Sequence, residues 1–302
     1  MNGILADAEK RYRAPYNGSL ALSKVEALED GKKPLAASRL RPELEVVAQK
    51  IGELQEMLYA DASKALLLVF QGVDAAGKDS TIHKVFSRAD PVGCQVSSFK
   101  VPYGEEIQHD FLWRCTQRLP RFGEIGLFNR SYYEAVLTER VHPEVLINQR
   151  KKDDATLSRL WQSRYRSIRE YERHLTANGT VILKFWLYVS KQRQASRLLK
   201  RIDKPEKRWK FSAMDVYDRD HWDDYMQAYV DAVNATSRAW APWYVIPADH
   251  KPTLQLAVAR ITLVALKGMN LAYPVMDEQA RAQMEAMRCR LQEECKPEKS
   301  TK

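Results

Sequence analysis

Residues 65–81 read ALLLVFQGVDAAGKDST. Ala65 to Phe70 is an unbroken apolar run, the pattern of a strand buried on both faces of a parallel sheet. Gly72 and Gly77 bracket a tight turn, and Ile82, Val85 and Phe86 start a helical spacing directly after it. The order strand, glycine turn, lysine, helix makes a cradle for phosphate. Glycines let successive backbone N–H groups face one concavity, the helix adds its positive N-terminus, and Lys78 reaches a bridging or terminal phosphate. A plain strand-to-helix turn accounts for the glycines but not for the lysine and the helix together.

The turn departs from the pattern GxxxxGK[ST] at one place. Asp79 follows Lys78, so the hydroxyl that would hold magnesium moves to Ser80 or Thr81. Asp74 lies inside the turn, where a bare carboxylate repels phosphate unless a metal ion or an arginine stands between them. Asp74 therefore reads as a magnesium or proton-handling residue.

Four more apolar runs follow, at Val96 to Val101, Ile125 to Phe128, Val181 to Val189 and Trp243 to Ile246. Helical spacings separate them: Leu157, Leu160, Trp161, Ile168 and Leu175 in one, Trp222, Tyr225, Tyr229 and Val233 in another. A further stripe, Leu44, Val47, Ile51, Leu54 and Leu58, precedes the first strand. Such alternation predicts an α/β fold with a mostly parallel five-stranded sheet between helices, its sites at the strand ends. Residues 1–40 lack a sustained period and predict a partly irregular arm over a body spanning 41–270. Residues 271–302 predict a C-terminal helix and tail, whose stripe of Ala280, Met284, Met287 and Leu291 docks on the body or on another subunit. A homo-oligomer is the expectation.

The chain of 302 residues carries 48 Lys and Arg against 39 Asp and Glu, a net charge of +9 that makes polyanions its natural partners. Its 45% hydrophobic content and moderate Gly and Pro exclude a disordered or fibrous class. Cys94, Cys115, Cys289 and Cys295 show no zinc or disulfide spacing, and His109, His142, His174, His221 and His250 are scattered. With no apolar stretch long enough for a signal or a membrane span, a soluble, cytoplasmic protein is expected.

Two cationic groups stand near strand ends. The third strand runs into Asn129, Arg130 and Ser131, where Asn129 orients a metal-bound water without adding charge and Glu134 supplies a negative ligand. Arg130 pairs with phosphate oxygens as a bidentate fork. After the fourth strand come Lys191, Arg193, Arg197, Lys200, Arg201, Lys204, Lys207, Arg208 and Lys210, against Asp203 and Glu206 alone. Arg193, Arg197, Lys200 and Lys204 project from one side of a helix, as in a lid that closes over a polyanion; a solvated charged face has the same signature.

The motifs GVDAAGKDST from Gly72, EIGLFNRSYYEAVLTERV from Glu124, RIDKPEKRWKF from Arg201 and APWYVIPADHK from Ala241 resemble the polyphosphate kinase type 2 family, from about Pro34 to Leu266. The resemblance implies a three-layer P-loop kinase fold, thymidylate-kinase-like, with a helical lid at about 191–220. It implies transfer of a terminal phosphoryl group between inorganic polyphosphate and AMP, ADP or ATP, and guanine nucleotides as further substrates. The ion implied is Mg2+, with Mn2+ as a substitute. Catalytic roles fall on Asp74, Lys78 and Arg130, with Asp74 at the metal. Substrate contacts fall on Gly72, Ala75, Ala76, Gly77, Asp79, Ser80, Thr81, Asn129 and Glu134, and on Lys200, Arg201 and Arg208 of the lid. Asn129 with Glu134 resembles the subgroup that accepts both mono- and diphosphates, although Tyr132 stands where His or Trp is expected.

An ATP-dependent nucleoside monophosphate kinase is the rival reading. Nucleic-acid binding is not expected, because Trp113, Trp161, Trp186 and Trp222 fall on apolar faces suited to core packing, and a membrane partner is not expected, because the longest apolar run, Val181 to Val189, is too short to span a bilayer.

Overall fold

The computed structural model describes residues 2–28, 35–145 and 154–295. The expected arm and tail therefore extend partly outside the described residues, at 29–34 and beyond 295.

Five parallel strands form one sheet in the order β2-β3-β1-β4-β5. They are β1 (Ala65–Gln71), β2 (Cys94–Ser98), β3 (Ile125–Asn129), β4 (Thr180–Tyr188) and β5 (Trp243–Pro247). The helices used below are α1 (Asn2–Tyr12), α2 (Ala37–Asp61), α3 (Lys78–Val85), α4 (Asp154–Ala177), α5 (Lys191–Asp203), α6 (Trp222–Thr236), α7 (Lys251–Gly268) and α8 (Glu278–Glu294). Leu44, Val47, Ile51 and Leu58 of α2 are buried as the stripe predicts, and α2 packs against α7. Every residue of β1 is buried, which is why its sequence carries no polar alternation. Trp161, Trp186 and Trp222 are buried as well.

Two expectations need correction. The second strand covers Cys94–Ser98 rather than 96–101, and it is an edge strand on which Val96 is exposed, because its ladder ends where β3 ends, at Ser98 opposite Asn129. The N-terminal arm, partly irregular as expected, does more than lie over the body: α1 and a short helix, Leu22–Glu26, bring Tyr12 and Val25 into the core. The Ala14 N–H donates to the Trp243 carbonyl at 2.8 Å, tying this segment to β5.

The chain leaves β1 towards β2 and leaves β4 towards β5, in opposite directions along the sheet. A crevice opens at such a divergence, beyond the carboxyl ends of the two strands. The glycine turn after β1 and the start of α5 after β4 meet there.

Candidate active site

The turn between β1 and α3 holds a conformation few residues adopt. Ala75 sits at φ 61 and Gly77 at φ 112. At Gly72, with φ +156, an added Cβ would lie 2.8 Å from the Leu187 carbonyl of β4, so only glycine allows this approach. Lys78, the first residue of α3, is buried and folds back over its own turn, donating to the Gly72 carbonyl at 2.5 Å and the Val73 carbonyl at 3.4 Å. Burial first, and then the nearby Arg130 charge, push the Lys78 ammonium down to about 8.

Arg130 begins the turn after β3 in the left-handed region, φ 64, with its N–H held by the Phe70 carbonyl at 3.0 Å. Backbone in this state is retained where the surroundings over-determine it, commonly at functional sites. Its guanidinium forks between two carboxylates, Asp74 at 2.7 Å and Glu134 at 2.9 Å. Burial alone would raise the Asp74 carboxyl; Arg130 and Lys78 outweigh it and hold the group below its usual range. Asn129 donates to Asp79 at 2.5 Å, and Lys210 approaches the other oxygen of Asp79 at 3.4 Å.

The structure thus brings Asp74, Lys78, Arg130 and Glu134 into one ionic group, with Asn129 and Asp79 as a pair beside it. Arg201 joins through Asp215, to which it donates at 2.7 Å. Lys200 and Arg208 stay apart: Lys200 is exposed, and Arg208 donates to the Ile202 carbonyl within its own segment. The Ser80 hydroxyl donates to the Gly77 carbonyl at 3.0 Å, and the Thr81 hydroxyl is buried with no hydrogen-bond partner among the described residues.

Sequence reasoning missed several neighbours. A cavity beside the turn is walled by Asp74, Arg130, Glu134, Asp215, Asp218, Trp222, Tyr225 and Tyr229, among others. Burial and the Asp74 charge raise the Asp215 carboxyl to about 6 against the pull of Arg201. His142 fixes Asp218 at 2.9 Å. Gln194 and Arg197 of α5 bond to the turn's carbonyls. Tyr132 and Tyr133, directly after Arg130 and Ser131, are anchored at Glu172 of α4 by hydroxyls 3.0 and 2.9 Å from Oε1. Glu172 pairs with Lys184 of β4 at 2.6 Å, both sealed from solvent. The lysine inside the apolar run of β4 was the one sequence signal of this network.

A magnesium ion carried on phosphates needs one or two carboxylates, with phosphate oxygens and water filling the other positions. Among the described residues no group of three His, Cys, Asp or Glu side chains forms a cage. Asp74, with Asp79 nearby, offers hard oxygens on the turn, which suits an ion arriving with its substrate and suits Mg2+ or Mn2+ over softer metals. No helix of the described residues is long and apolar enough to cross a membrane.

The family model for Polyphosphate kinase 2 (PPK2) matches residues 35–274. An ADP-polyphosphate phosphotransferase of Rhodopseudomonas palustris is 47% identical over 82% of this chain and 86% of its own length. An AMP/ADP-polyphosphate phosphotransferase of Meiothermus ruber is 43% identical over 88% of this chain and 95% of its own. The crystal structure of polyphosphate kinase 2 from Arthrobacter aurescens TC1 superposes with a TM-score of 0.80 at 36% identity, covering 93% of this chain and 96% of that one. Sheet order, phosphate turn and ionic group thus occur in a chain that belongs to the polyphosphate kinase 2 family.

Proposed function

We propose that this protein is a polyphosphate:AMP/ADP phosphotransferase, moving the terminal phosphoryl group between inorganic polyphosphate and nucleoside mono- or diphosphates. The observation that carries the reading is Arg130, one guanidinium shared by Asp74 of the phosphate turn and Glu134 of the cavity wall. A group so placed serves both the incoming and the departing phosphate.

The two anions take different faces. Asp74, Glu134, Asp215 and Asp218 make the cavity unfavourable for a naked phosphate chain but offer acceptors to ribose hydroxyls and base amino groups, while Trp222, Tyr225 and Tyr229 supply ring surface. The nucleotide enters there. Polyphosphate has no base to stack and follows exposed cations, Lys204, Lys207, Arg208 and Lys210, towards the turn. Arrival of phosphate draws the Lys78 ammonium off the Gly72 and Val73 carbonyls and supplies it with counter-charge. Lys78 and Arg130 then stabilise the oxygens that gain charge, and the acceptor phosphate, already anionic, attacks in line without a strong base. Magnesium, held with Asp74, neutralises bridging phosphate charge when bound.

In this reading residues 41–270 are the catalytic domain. The segment at about 191–220 is its lid, closing Lys200, Arg201 and Arg208 over the substrates, and 271–302 form a C-terminal helix and tail. Every described residue of α8 from Arg281 on is exposed, including Met284, Met287 and Leu291; this supports a homo-oligomer, which sedimentation tests.

The test is incubation with magnesium, polyphosphate and AMP, ADP or GDP, followed by nucleotide analysis. ADP and ATP form only when polyphosphate is present, and Asp74→Asn and Lys78→Met lower the rate at least about 10²-fold. AMP phosphorylation from ATP at an equal rate without polyphosphate would favour the monophosphate-kinase reading instead.

A further inference from the structure

Three consecutive carbonyls of the phosphate turn are held from outside by one helix. Gln194 Nε2 donates to the Asp74 carbonyl at 3.0 Å, and Arg197 Nη1 donates to the carbonyls of Ala75 and Ala76 at 2.9 Å each. The second amino group of Arg197, Nη2, donates to the carbonyls of Ala248 and Asp249, just past β5. Gln194 is buried, and its own carbonyl accepts from Arg219 Nη1 at 2.5 Å, which fixes the amide with its NH2 towards Asp74. The two side chains stand three residues apart on α5 and so share a face.

A turn that aims successive N–H groups into one concavity must send the matching carbonyls the other way. Buried carbonyls need donors, and here no strand or helix supplies them. The guanidinium answers this with geometry as much as with charge. Its planar fork spans four oxygens from two loops, which an ammonium cannot do. Ala75, at φ 61, lies at the centre of the held stretch.

We infer that Gln194 and Arg197 are positioning residues for phosphoryl transfer. They keep the carbonyls of residues 74–76 turned outward so that the turn's N–H groups meet phosphate, and they fasten the turn to the helix that leads into the basic segment. The inference rests on the reading of this turn as the seat of the phosphate. It distinguishes Arg197 from the neighbouring cations of the same charge run, whose value lies in contact with a polyanion.

Arg197→Ala, Arg197→Lys and Gln194→Leu test it in the full chain. Turnover is followed with polyphosphate and ADP, binding of inorganic tripolyphosphate is measured by calorimetry over a range of salt, and folding is followed by urea titration. Arg197→Ala is expected to lose about 10²-fold in kcat, with KM for ADP within about threefold, because a shift of about 1 Å in reacting groups has that effect. Arg197→Lys keeps the charge, loses the fork and is equally slow. Gln194→Leu loses about tenfold and supplies the test if the arginine variants do not fold. Tripolyphosphate binds about tenfold more weakly to Arg197→Ala with an unchanged salt slope. A kcat within about threefold of the parent, recovery of the rate by lysine, or a salt slope smaller by about one unit would each overturn the inference, the last by showing that Arg197 touches phosphate itself. The tripolyphosphate arm needs no turnover, so it tells failure of this inference apart from failure of the proposed activity.

Discussion

Lys184 and Lys78 are both buried lysines that loss of water pushes down to about 8, yet their surroundings are opposite. Lys184 has a carboxylate, Glu172, at 2.6 Å, with the Thr236 carbonyl at 2.9 Å and the Tyr133 hydroxyl at 3.1 Å. Its charge is answered within the fold. Among the described residues Lys78 donates only to the neutral carbonyls of Gly72 and Val73, while Asp74, Glu134 and Asp79 act on it from a distance and two of them are already engaged by Arg130. What separates a structural lysine from one awaiting a ligand is therefore the nearest counter-charge, not burial or acidity.

The largest effect expected is at the answered lysine. Glu172→Leu leaves Lys184 buried without its carboxylate and takes the acceptor from the Tyr132 hydroxyl, while Tyr133 keeps Thr236, so unfolding in urea should show a loss of about 3–5 kcal/mol. Adding Lys184→Met should recover most of it, and a double variant no better than the single one would break the comparison. At the other lysine the costs fall on rate. Lys78→Met should lower kcat/KM by about 10²–10³, or ~3–4 kcal/mol, while its urea midpoint corresponds to a change under about 1 kcal/mol.

Smaller and more discriminating is the pH dependence. Each lysine holds its proton less tightly folded, at about 8, than at its ordinary value of 10.5. Between these values the unfolded chain binds more protons, so each contributes stability that rises with pH across that window and nothing below about 7. Tripolyphosphate supplies Lys78 with the missing counter-charge and lifts its pKa, so that the complex should retain only the Lys184 share of the rise. Urea midpoints at pH 7.5, 9 and 10, with and without the anion, measure this; identical slopes would mean that Lys78 does not meet phosphate. The least effect expected is that of Tyr132→Phe, about 1 kcal/mol, since Tyr133 and Lys184 still hold Glu172.

The phosphate turn was legible because its chemistry is local. Gly72, Gly77 and Lys78 fall within one strand-turn-helix unit, and Asp74 stands out as an acid where an anion belongs. Arg130 was legible from its place at a strand end. The residues that hold these groups in place were not. Gln194 and Arg197 lie 120 and 122 residues from Asp74 and Ala75, and along the chain they are an amide and one more cation in a basic helix. Asp215 and Asp218 look like ordinary surface acids until the fold sets them against Trp222 and Tyr229. The edge position of β2 was hidden for a related reason: an apolar run reports burial potential, while strand order decides which run finds neighbours on both sides.

That order has a consequence during synthesis. The turn is spelled out at residues 72–77, but the strand before it lies between β3 and β4, and the guanidinium that braces it also grips Ala248 and Asp249. A nascent chain on the ribosome would carry the complete phosphate motif long before the last of these partners emerges. The brace on the turn can close only after about 170 further residues have followed Gly77, up to Asp249.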